Sequence, residues 1–490
     1  MRCCIDDSRR EFPTAPVARC ATHRLHLLVL IGLSSVLLFS KLHKGGLSGY
    51  DDALYAHEGK QMLLTGDWWN VVNNGLPNFE YPPMFIWLEA LSMKMWGISD
   101  FAAKFPAALS GLLCIVLVFS VVRILSDDFW LPVLAAWVLM LSQYFVKYST
   151  HAMTDVPFTF FFTLSIYSYV RGMRQRAYLV LCGVAIGCGI LTRSILGLIP
   201  AGIILGHLLL MKRHEIFRSG YFWIGLFVAL SAPSIWYVSQ YQLHGDPFLA
   251  RHFSFIASKI FSQDDSSSGT AFLRGLIEYP WLLLRLYWPW LPFMVFGMGL
   301  QCRKMIRSRD NLATLLVLWV VLVLVPFSLV EVKILRYIMP IFPAFSILAA
   351  MPLRRNLSPV RKYASVKMGY IVLCAFILLI AAVSTPRARA EEMKALAPIV
   401  DSNTDSKQRV AIYTFGEWRH DYVNQFLWYS DRFCELLTTP QQVKQWLRDR
   451  RAKVFIVDRA SYQEHVQTSG VQLRVLVSTK QFVCFEIIEQ

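Results

Sequence analysis

Four carboxylates and two cations stand where the surrounding sequence is apolar or aromatic. Asp51 and Asp52 lie in Gly49-Tyr50-Asp51-Asp52-Ala53-Leu54-Tyr55, Glu80 in Asn78-Phe79-Glu80-Tyr81-Pro82-Pro83, and Asp155 in Thr154-Asp155-Val156-Pro157. Lys333 and Arg336 open the run Lys333-Ile334-Leu335-Arg336-Tyr337-Ile338-Met339-Pro340. A positioned carboxylate can take the proton of an attacking hydroxyl. Lys or Arg can neutralise charge that develops on an anionic leaving group. A carboxylate can also hold a divalent cation that shares that load. Each acid has a plainer reading, because acidic residues in the first turn of a helix are ordinary caps. Two adjacent carboxylates allow one to cap and the other to act. A single outer cation is explained by snorkelling, two beside a pair of prolines less easily.

The elements that must position these groups are membrane spans. The chain has 490 residues, 55% of them hydrophobic and only 17% charged, with mean hydropathy +0.43. A soluble domain carries about 25% charged residues, so a disordered chain, a collagen, a disulfide scaffold and a simple soluble enzyme are excluded. Stretches near the roughly 20 apolar residues of a membrane helix occur at 25–40, 101–122, 129–146, 156–170, 178–192, 194–211, 221–240, 281–300, 312–330, 335–352 and 368–385. Basic clusters occur at residues 2–24, at Arg171/Arg174/Arg176, at Lys212/Arg213/Arg218, at residues 303–309 and at residues 354–362. The positive-inside rule puts all five on the cytoplasmic side. That requires two crossings between 178 and 211, about eleven in all, and a C-terminus outside. Most of the net charge of +16 is then a topology signal. No RNA-reading motif, zinc spacing or basic helix supports nucleic-acid binding. The absence of GxxxxGK[ST], GxGxxG and HExxH motifs argues against nucleotide-driven pumps and zincin proteases. No nucleotide, flavin or haem is expected.

The predicted organisation is a cytoplasmic leader at 1–24, a membrane domain at 25–385 whose first apolar stretch is a retained signal-anchor, and a soluble domain at 386–490. Loops at 41–100 and 241–280 and the last domain share the outer face. Residues 52–64 and 82–96 read as helices in the interface, apolar side to lipid and polar side to water. In the last domain, Val410–Phe415, Val454–Val457, Leu473–Val477 and Phe482–Ile488 read as strands, with a helix at Gln441–Asp449. Strands alternating with helices predict a small α/β domain. Cys434 and Cys484 both fall outside, where a disulfide is chemically allowed. Arg193, Arg285 and Lys259 form a sparse set of outer cations near apolar sequence.

The run from Tyr50 to Gly111 resembles the first outer loop of the membrane-embedded C-type glycosyltransferases. The similarity is to the branch of lipid A aminoarabinose transferases and bacterial dolichyl-phosphate-mannose-like protein mannosyltransferases. It rests on Asp51-Asp52, Tyr55-Ala56, Gly66-Asp67-Trp68, Phe79-Glu80-Tyr81-Pro82-Pro83, Trp96-Gly97-Ile98-Ser99 and Phe101-Ala102-Ala103-Lys104-Phe105-Pro106, in that order. Thr-Asp-x-Pro at Asp155 and Lys-x-x-Arg-Tyr-x-x-Pro-x-x-Pro from Lys333 to Pro343 follow in the expected places. The resemblance implies that Asp51 is the catalytic base, Asp155 a second acid needed for activity, and Asp52 a further catalytic candidate. It implies that Lys333, Arg336 and Tyr337 line the cavity for the donor phosphate. Tyr55, Tyr81 and Lys259 are further candidate substrate-binding residues, and Glu80 with His252 the candidate ligands of a divalent metal ion. Leu54 and Tyr81 replace cations usual in the family, and His252, Lys259 and Phe261 keep a different spacing from its later loop.

The implied activity is inverting transfer of a sugar from an undecaprenyl-type phosphate to an acceptor hydroxyl or phosphate of a lipid, glycan or protein at the outer face of the bacterial inner membrane. Its partners would be the lipid-linked sugar, membrane lipids and the acceptor. A secondary transporter or flippase would show paired halves with broken helices at the midplane; here the unusual residues gather at one face. A polymerase or ligase of O-antigen type is the other alternative and lacks the acidic first loop.

Overall fold

The computed structural model describes residues 16–47, 49–260, 269–330, 334–355, 369, 391–405, 408–414, 419–467 and 470–488. The membrane part runs α1 (Pro16–Phe39), α2 (Gly49–Thr65), a short hairpin β1 (Val72–Asn73) and β2 (Leu76–Pro77), α3 (Met84–Trp96), α4 (Asp100–Leu125), α5 (Leu131–Met140), α6 (Gln143–Ser149), α7 (Asp155–Gly172), α8 (Tyr178–Arg193), α9 (Ile199–Leu210), α10 (Gly220–His244), α11 (Asp246–Ile260), α12 (Gly269–Leu286), α13 (Leu291–Ser308), α14 (Asn311–Leu329) and α15 (Phe342–Arg355). Three 3-10 segments interrupt it, Ser194–Leu198, His214–Ile216 and Leu335–Ile341. The α/β part follows with α16 (Glu391–Asn403), β3 (Val410–Tyr413), α17 (Arg419–Tyr429), β4 (Cys434–Leu437), α18 (Pro440–Asp449), β5 (Val454–Asp458), β6 (Leu473–Ser478) and β7 (Phe482–Ile487).

The protein is a mainly helical polytopic membrane bundle with a C-terminal β-containing domain. Among the described residues six helical stretches are long and apolar enough to cross a membrane, and the pair α5 and α6, bent by 64°, makes a seventh. The expected eleven apolar crossings are therefore not all found by length and hydropathy. Residues 178–210 count as one stretch, α7 is diluted by Thr, Ser and Tyr, and α13 ends in Arg303, Lys304 and Arg307. The stretch 368–385 lies outside the described residues apart from Gly369.

Within 178–210 the chain turns back. Ser194 takes φ +51°, in the left-handed region, and the following 3-10 turn lies on α8. A Cβ at Gly197 would stand 2.2 Å from the Ile190 nitrogen, so only glycine permits that backbone contact. Gly172, at the end of α7, packs on Leu179 near the start of α8. Tyr169, one turn earlier in α7, hydrogen-bonds His207 near the end of α9 (2.7 Å). Both ends of the α8–α9 unit thus meet the same end of α7, and Arg193 sits at the opposite end.

The C-terminal domain is a five-stranded sheet ordered β4-β3-β5-β7-β6, parallel across β4, β3 and β5 and antiparallel across β5, β7 and β6. Alternate strand residues serve two cores. Val410, Ile412, Val454, Ile456, Phe482 and Cys484 pack under α16 and α17; Ala411, Tyr413, Phe455, Val457, Val483 and Phe485 pack under α18. Thr439 and Gln442 form a capping box ahead of α18, with Pro440 in its first turn. The four expected strands are present, and β4 was missed because Cys434–Leu437 is too short to show a period. Cys434 and Cys484 are both free. Two strands separate β4 from β7, so at about 4.8 Å per strand step they stand about 14 Å apart, twice the reach of a disulfide. The allowed cross-link is not made.

The two expected helices exist as α2 and α3, but the polar side of α2 is covered by protein instead of facing water. It is wedged between α3 and α17, with His57, Glu58 and Lys60 all buried. Lys60 Nζ donates to the carbonyls of Trp428 (3.1 Å) and Ser430 (2.8 Å) and pairs with Asp431 (2.9 Å). His57 Nδ1–H donates to the Leu427 carbonyl (2.9 Å), and burial beside Lys60 pushes its pKa down to about 3, so it stays neutral. Asn74, in the β1–β2 turn, exchanges two hydrogen bonds with the Cys434 backbone (2.8 and 3.0 Å). Asp100, at the start of α4, receives Trp428 Nε1–H and Tyr429 O–H (3.0 Å each) and Lys394 Nζ (3.1 Å). Lys60→Met leaves two buried carbonyls without a donor, at a cost of about 1–3 kcal/mol each. Hydrogen exchange should then accelerate selectively in α17, while the amides of α4 and α7 keep wild-type protection.

Candidate active site

Five segments bring four charged groups and a tyrosine to the end of the bundle away from Arg171, Arg213 and Arg354. Asp51 comes from the first turn of α2, Asp155 from the first turn of α7 and Arg193 from the last residue of α8. Arg336 comes from the 3-10 segment before α15, and Tyr81 from the loop before α3. That 3-10 segment follows from its prolines. Pro343 has no N–H to give to the Pro340 carbonyl, which accepts Trp319 Nε1–H instead (2.8 Å). The segment carrying Arg336 is thereby pinned to α14.

The charges form two pairs. Arg336 Nη2 lies 2.6 Å from Asp51 Oδ2, with side-chain exposures of 23% and 18%. Arg193 Nη2 lies 2.5 Å from Asp155 Oδ1, with exposures of 7% and 3%. The Arg193 guanidinium is sandwiched between Tyr81 and Tyr337, its Cζ 5.2 Å from each ring centre. Arg336 Cζ stands 6.0 Å from the same Tyr337 ring. Tyr55 meets Tyr81 edge-on at 5.7 Å, and burial with Tyr81 alongside holds its hydroxyl well above its ordinary pKa. Tyr55 and Tyr81 are therefore un-ionised walls and hydrogen-bond donors. Lys259, on α11, lies 4.9 Å over Phe255, whose ring meets Tyr81 at 5.0 Å.

The structure brings together Asp51, Tyr55, Tyr81, Asp155, Arg336 and Tyr337, with Lys259 one ring further out. Asp52 points elsewhere. It is wholly buried, and its charge acts on Glu89 of α3 rather than on the arginines. Glu80 is half-buried in the loop beside Tyr81, its backbone N–H donated to Asn78 Oδ1 (3.2 Å). Lys333 lies outside the described residues. Arg193 lies at the centre of the site, although the sequence showed it only as a sparse outer cation; its signal was a charge interrupting apolar sequence at an outer turn.

His252 is committed to the protein. Its Nδ1–H donates to the Phe79 carbonyl (2.7 Å), and Nε2 faces Tyr237 OH (3.1 Å) and Ser194 Oγ (3.2 Å). Burial lowers its pKa, in keeping with a neutral ring. With both nitrogens engaged, the ring fits a brace between Arg193's neighbour Ser194 and the Glu80 loop better than a metal ligand. Among the described residues no three His, Cys, Asp or Glu side chains are grouped to hold a metal ion.

Glu89 is wholly buried and neither of its side-chain oxygens has a hydrogen-bond partner. Burial first, then Glu58 and Asp52, hold its carboxyl well above its ordinary value of 4.5. The folded chain keeps a proton that the unfolded chain releases near 4.5, so this site favours folding at low pH and loses that contribution as pH rises. Glu89→Gln should leave the unfolding temperature unchanged at pH 4 and raise it at pH 8 relative to wild type.

A family model described as dolichyl-phosphate-mannose-protein mannosyltransferase matches residues 80–237. An uncharacterized protein of Aquifex aeolicus is 29% identical over 327 residues, 66% of this chain and 63% of its own. The undecaprenyl phosphate-alpha-4-amino-4-deoxy-L-arabinose arabinosyl transferase of Pectobacterium carotovorum is 28% identical over 339 residues, 67% of this chain and 59% of its own. The match thus spans less than two thirds of these relatives' length. The crystal structure of ArnT from Cupriavidus metallidurans bound to undecaprenyl phosphate superimposes with TM-score 0.73 at 16% identity, over 95% of this chain and 98% of that one. The oligosaccharyltransferase of Archaeoglobus fulgidus in the apo form gives TM-score 0.57 at 11% identity, over 89% and 69%. The chain is thus similar over residues 80–237 to the protein mannosyltransferase family and in sequence to the aminoarabinose transferases, and it shares the fold of ArnT from Cupriavidus metallidurans.

Proposed function

We propose that this chain moves a sugar, with inversion, from a polyprenyl phosphate of undecaprenyl type to an acceptor at the outer face of the bacterial inner membrane. The observation that carries this is the pairing of Asp51 with Arg336 beside the Arg193–Asp155 pair on one tyrosine-lined wall. The donor phosphate sits against Arg336 and Arg193 and takes over the contact that Asp51 makes with Arg336. Asp51, released, accepts the proton of the acceptor hydroxyl. The acceptor oxygen bonds the sugar's anomeric carbon as the bond from that carbon to the phosphate oxygen breaks. The electron pair leaves with the phosphate, whose charge the two guanidiniums neutralise. No covalent enzyme intermediate is needed, and one displacement inverts the centre.

Asp155 holds Arg193 in place, Tyr55, Tyr81 and Tyr337 flank the sugar and phosphate, and Lys259 adds positive charge toward the lipid headgroup. Asp52 serves α2 rather than the proton transfer. Glu80 stays the candidate carboxylate for a divalent cation in this loop; no step is routed through one, because His252 is engaged on both sides. Eleven crossings with the C-terminus outside agree with the fold-back at Ser194 and place every one of these groups on the outer face.

The test incubates the purified protein with radiolabelled polyprenyl-phosphate sugars and membrane acceptors. Label should pass to an acceptor with release of polyprenyl phosphate. Lipid binding without transfer to any acceptor would overturn the reading.

A further inference from the structure

Two glycines hold α8 and α10 together backbone to backbone: a Cβ at Gly183 would stand 1.9 Å from the Gly225 carbonyl oxygen. Helix α9 leans the other way, onto α14, where Gly206 faces Leu318. Between α9 and α10 this leaves a cavity of about 280 Å³ with α8 as its floor. Ile186 of α8, Ala201 and Leu205 of α9, and Leu226 and Leu230 of α10 line it. The lining is almost wholly apolar, and the exposed Leu205, Leu226 and Leu230 form a rim that opens sideways, toward hydrocarbon.

The turn between α9 and α10 closes one end of this cavity, where Leu208, Ile216 and Phe222 line it. Arg213 N–H donates to the Leu208 carbonyl (2.9 Å) and Ile216 N–H to the Arg213 carbonyl (3.2 Å), so Arg213 is fixed between two lining residues. Ser219 N–H donates to the Ile216 carbonyl and Phe222 N–H to the Ser219 carbonyl (3.0 Å each), which sets Arg218 beside them. Lys212, Arg213 and Arg218 are all exposed, and Glu215 is the one acid in residues 211–220. Its contact with Arg213 is 3.5 Å long between side chains 49% and 46% exposed, a pair worth little. Trp223, also exposed, donates its Nε1–H to the Phe217 carbonyl (2.9 Å), the place of an aromatic ring at headgroup depth. The positive-inside rule explains why such cations lie at this end; it does not require an apolar cavity directly beneath them.

Size decides which chain fits. The lining on α10 runs from Phe222 to Leu230, about 12 Å at 1.5 Å per residue. That is less than half of the roughly 30 Å hydrocarbon thickness. An acyl chain of the adjoining leaflet matches this depth, whereas an undecaprenyl chain overruns it. We propose that the cavity and its basic mouth bind an anionic phospholipid of the leaflet at the basic end of the bundle. One acyl chain lies between α9 and α10, and the phosphate meets Lys212, Arg213 and Arg218. The lipid fills the gap at the end of the bundle away from Arg193, so this site stands whether or not the chain transfers a sugar.

The test is lipid retention by the purified full chain in native mass spectrometry, with phosphatidylglycerol and phosphatidylcholine of matched acyl chains. Wild type should retain one phosphatidylglycerol at least about tenfold more tightly than phosphatidylcholine. Lys212→Gln with Arg213→Gln should cut that preference to about threefold or less, since each cation near an anionic headgroup is worth about fivefold. Arg303→Gln with Arg307→Gln removes the same charge from the exposed end of α13 and should leave the preference intact. Ala201→Phe fills the cavity and should weaken both lipids by about fivefold or more without changing their ratio. Equal retention of the two lipids, an equal loss in the α13 variant, or unchanged binding in Ala201→Phe would overturn the proposal. So would displacement of phosphatidylglycerol by undecaprenyl phosphate, which would give the cavity to that longer chain instead.

Discussion

Asp51→Asn should lower the rate of sugar transfer by about 10²–10⁴-fold, the usual contribution of a positioned general base. Donor binding should survive or tighten. In the wild type, Asp51 competes with the donor phosphate for Arg336 across a 2.6 Å contact; asparagine withdraws that competition. The expected signature is therefore a large fall in kcat with an unchanged or smaller donor KM, measured with a labelled polyprenyl-phosphate sugar. Arg336→Gln should do the opposite to the donor, raising KM as its phosphate loses a guanidinium. A variant at Asp51 that keeps full activity would move the base to another carboxylate and remove the main support for the proposed chemistry.

Arg193→Met should destabilise the protein by about 3–5 kcal/mol, because it leaves Asp155 as a buried charge without its partner. Asp155 is 3% exposed and Arg193 7%, so water cannot take the missing role. The double variant Arg193→Met with Asp155→Leu should recover most of that loss while remaining inactive. Thermal unfolding at fixed detergent and lipid separates the two effects, since stability returns and transfer does not. Arg193→Lys tests a further point. It keeps the charge but gives up the planar stack between Tyr81 and Tyr337, so donor KM should rise with little change in the unfolding temperature.

Much of this site was legible because ionisable residues in apolar sequence are costly and must be accounted for. Asp51, Asp155 and Arg336 stood out on that ground, and prolines 340 and 343 marked the irregular segment that holds Arg336. Arg193 was visible as an odd charge, but its place between two tyrosines from distant segments is a tertiary fact. How the last domain docks left no trace, since its contacts join segments about 370 residues apart. The same docking defeated the reading of α2. His57, Glu58 and Lys60 look like a wet face, and only the carbonyls of Trp428 and Ser430 explain why they are buried. The span count fell short for a different reason. α7 and α13 carry Tyr, Ser, Thr and terminal charges, a composition that hydropathy scores poorly.

The Lys60–Ser430 contact joins residues 370 positions apart. At a synthesis rate of about 5–20 residues per second, α2 is made about 20–75 seconds before the segment that covers it exists. Throughout that interval Lys60 and His57 lack the carbonyls that receive them in the finished fold. The segment that carries Asp51 therefore reaches its final packing only when the end of the chain has been made and seated on it.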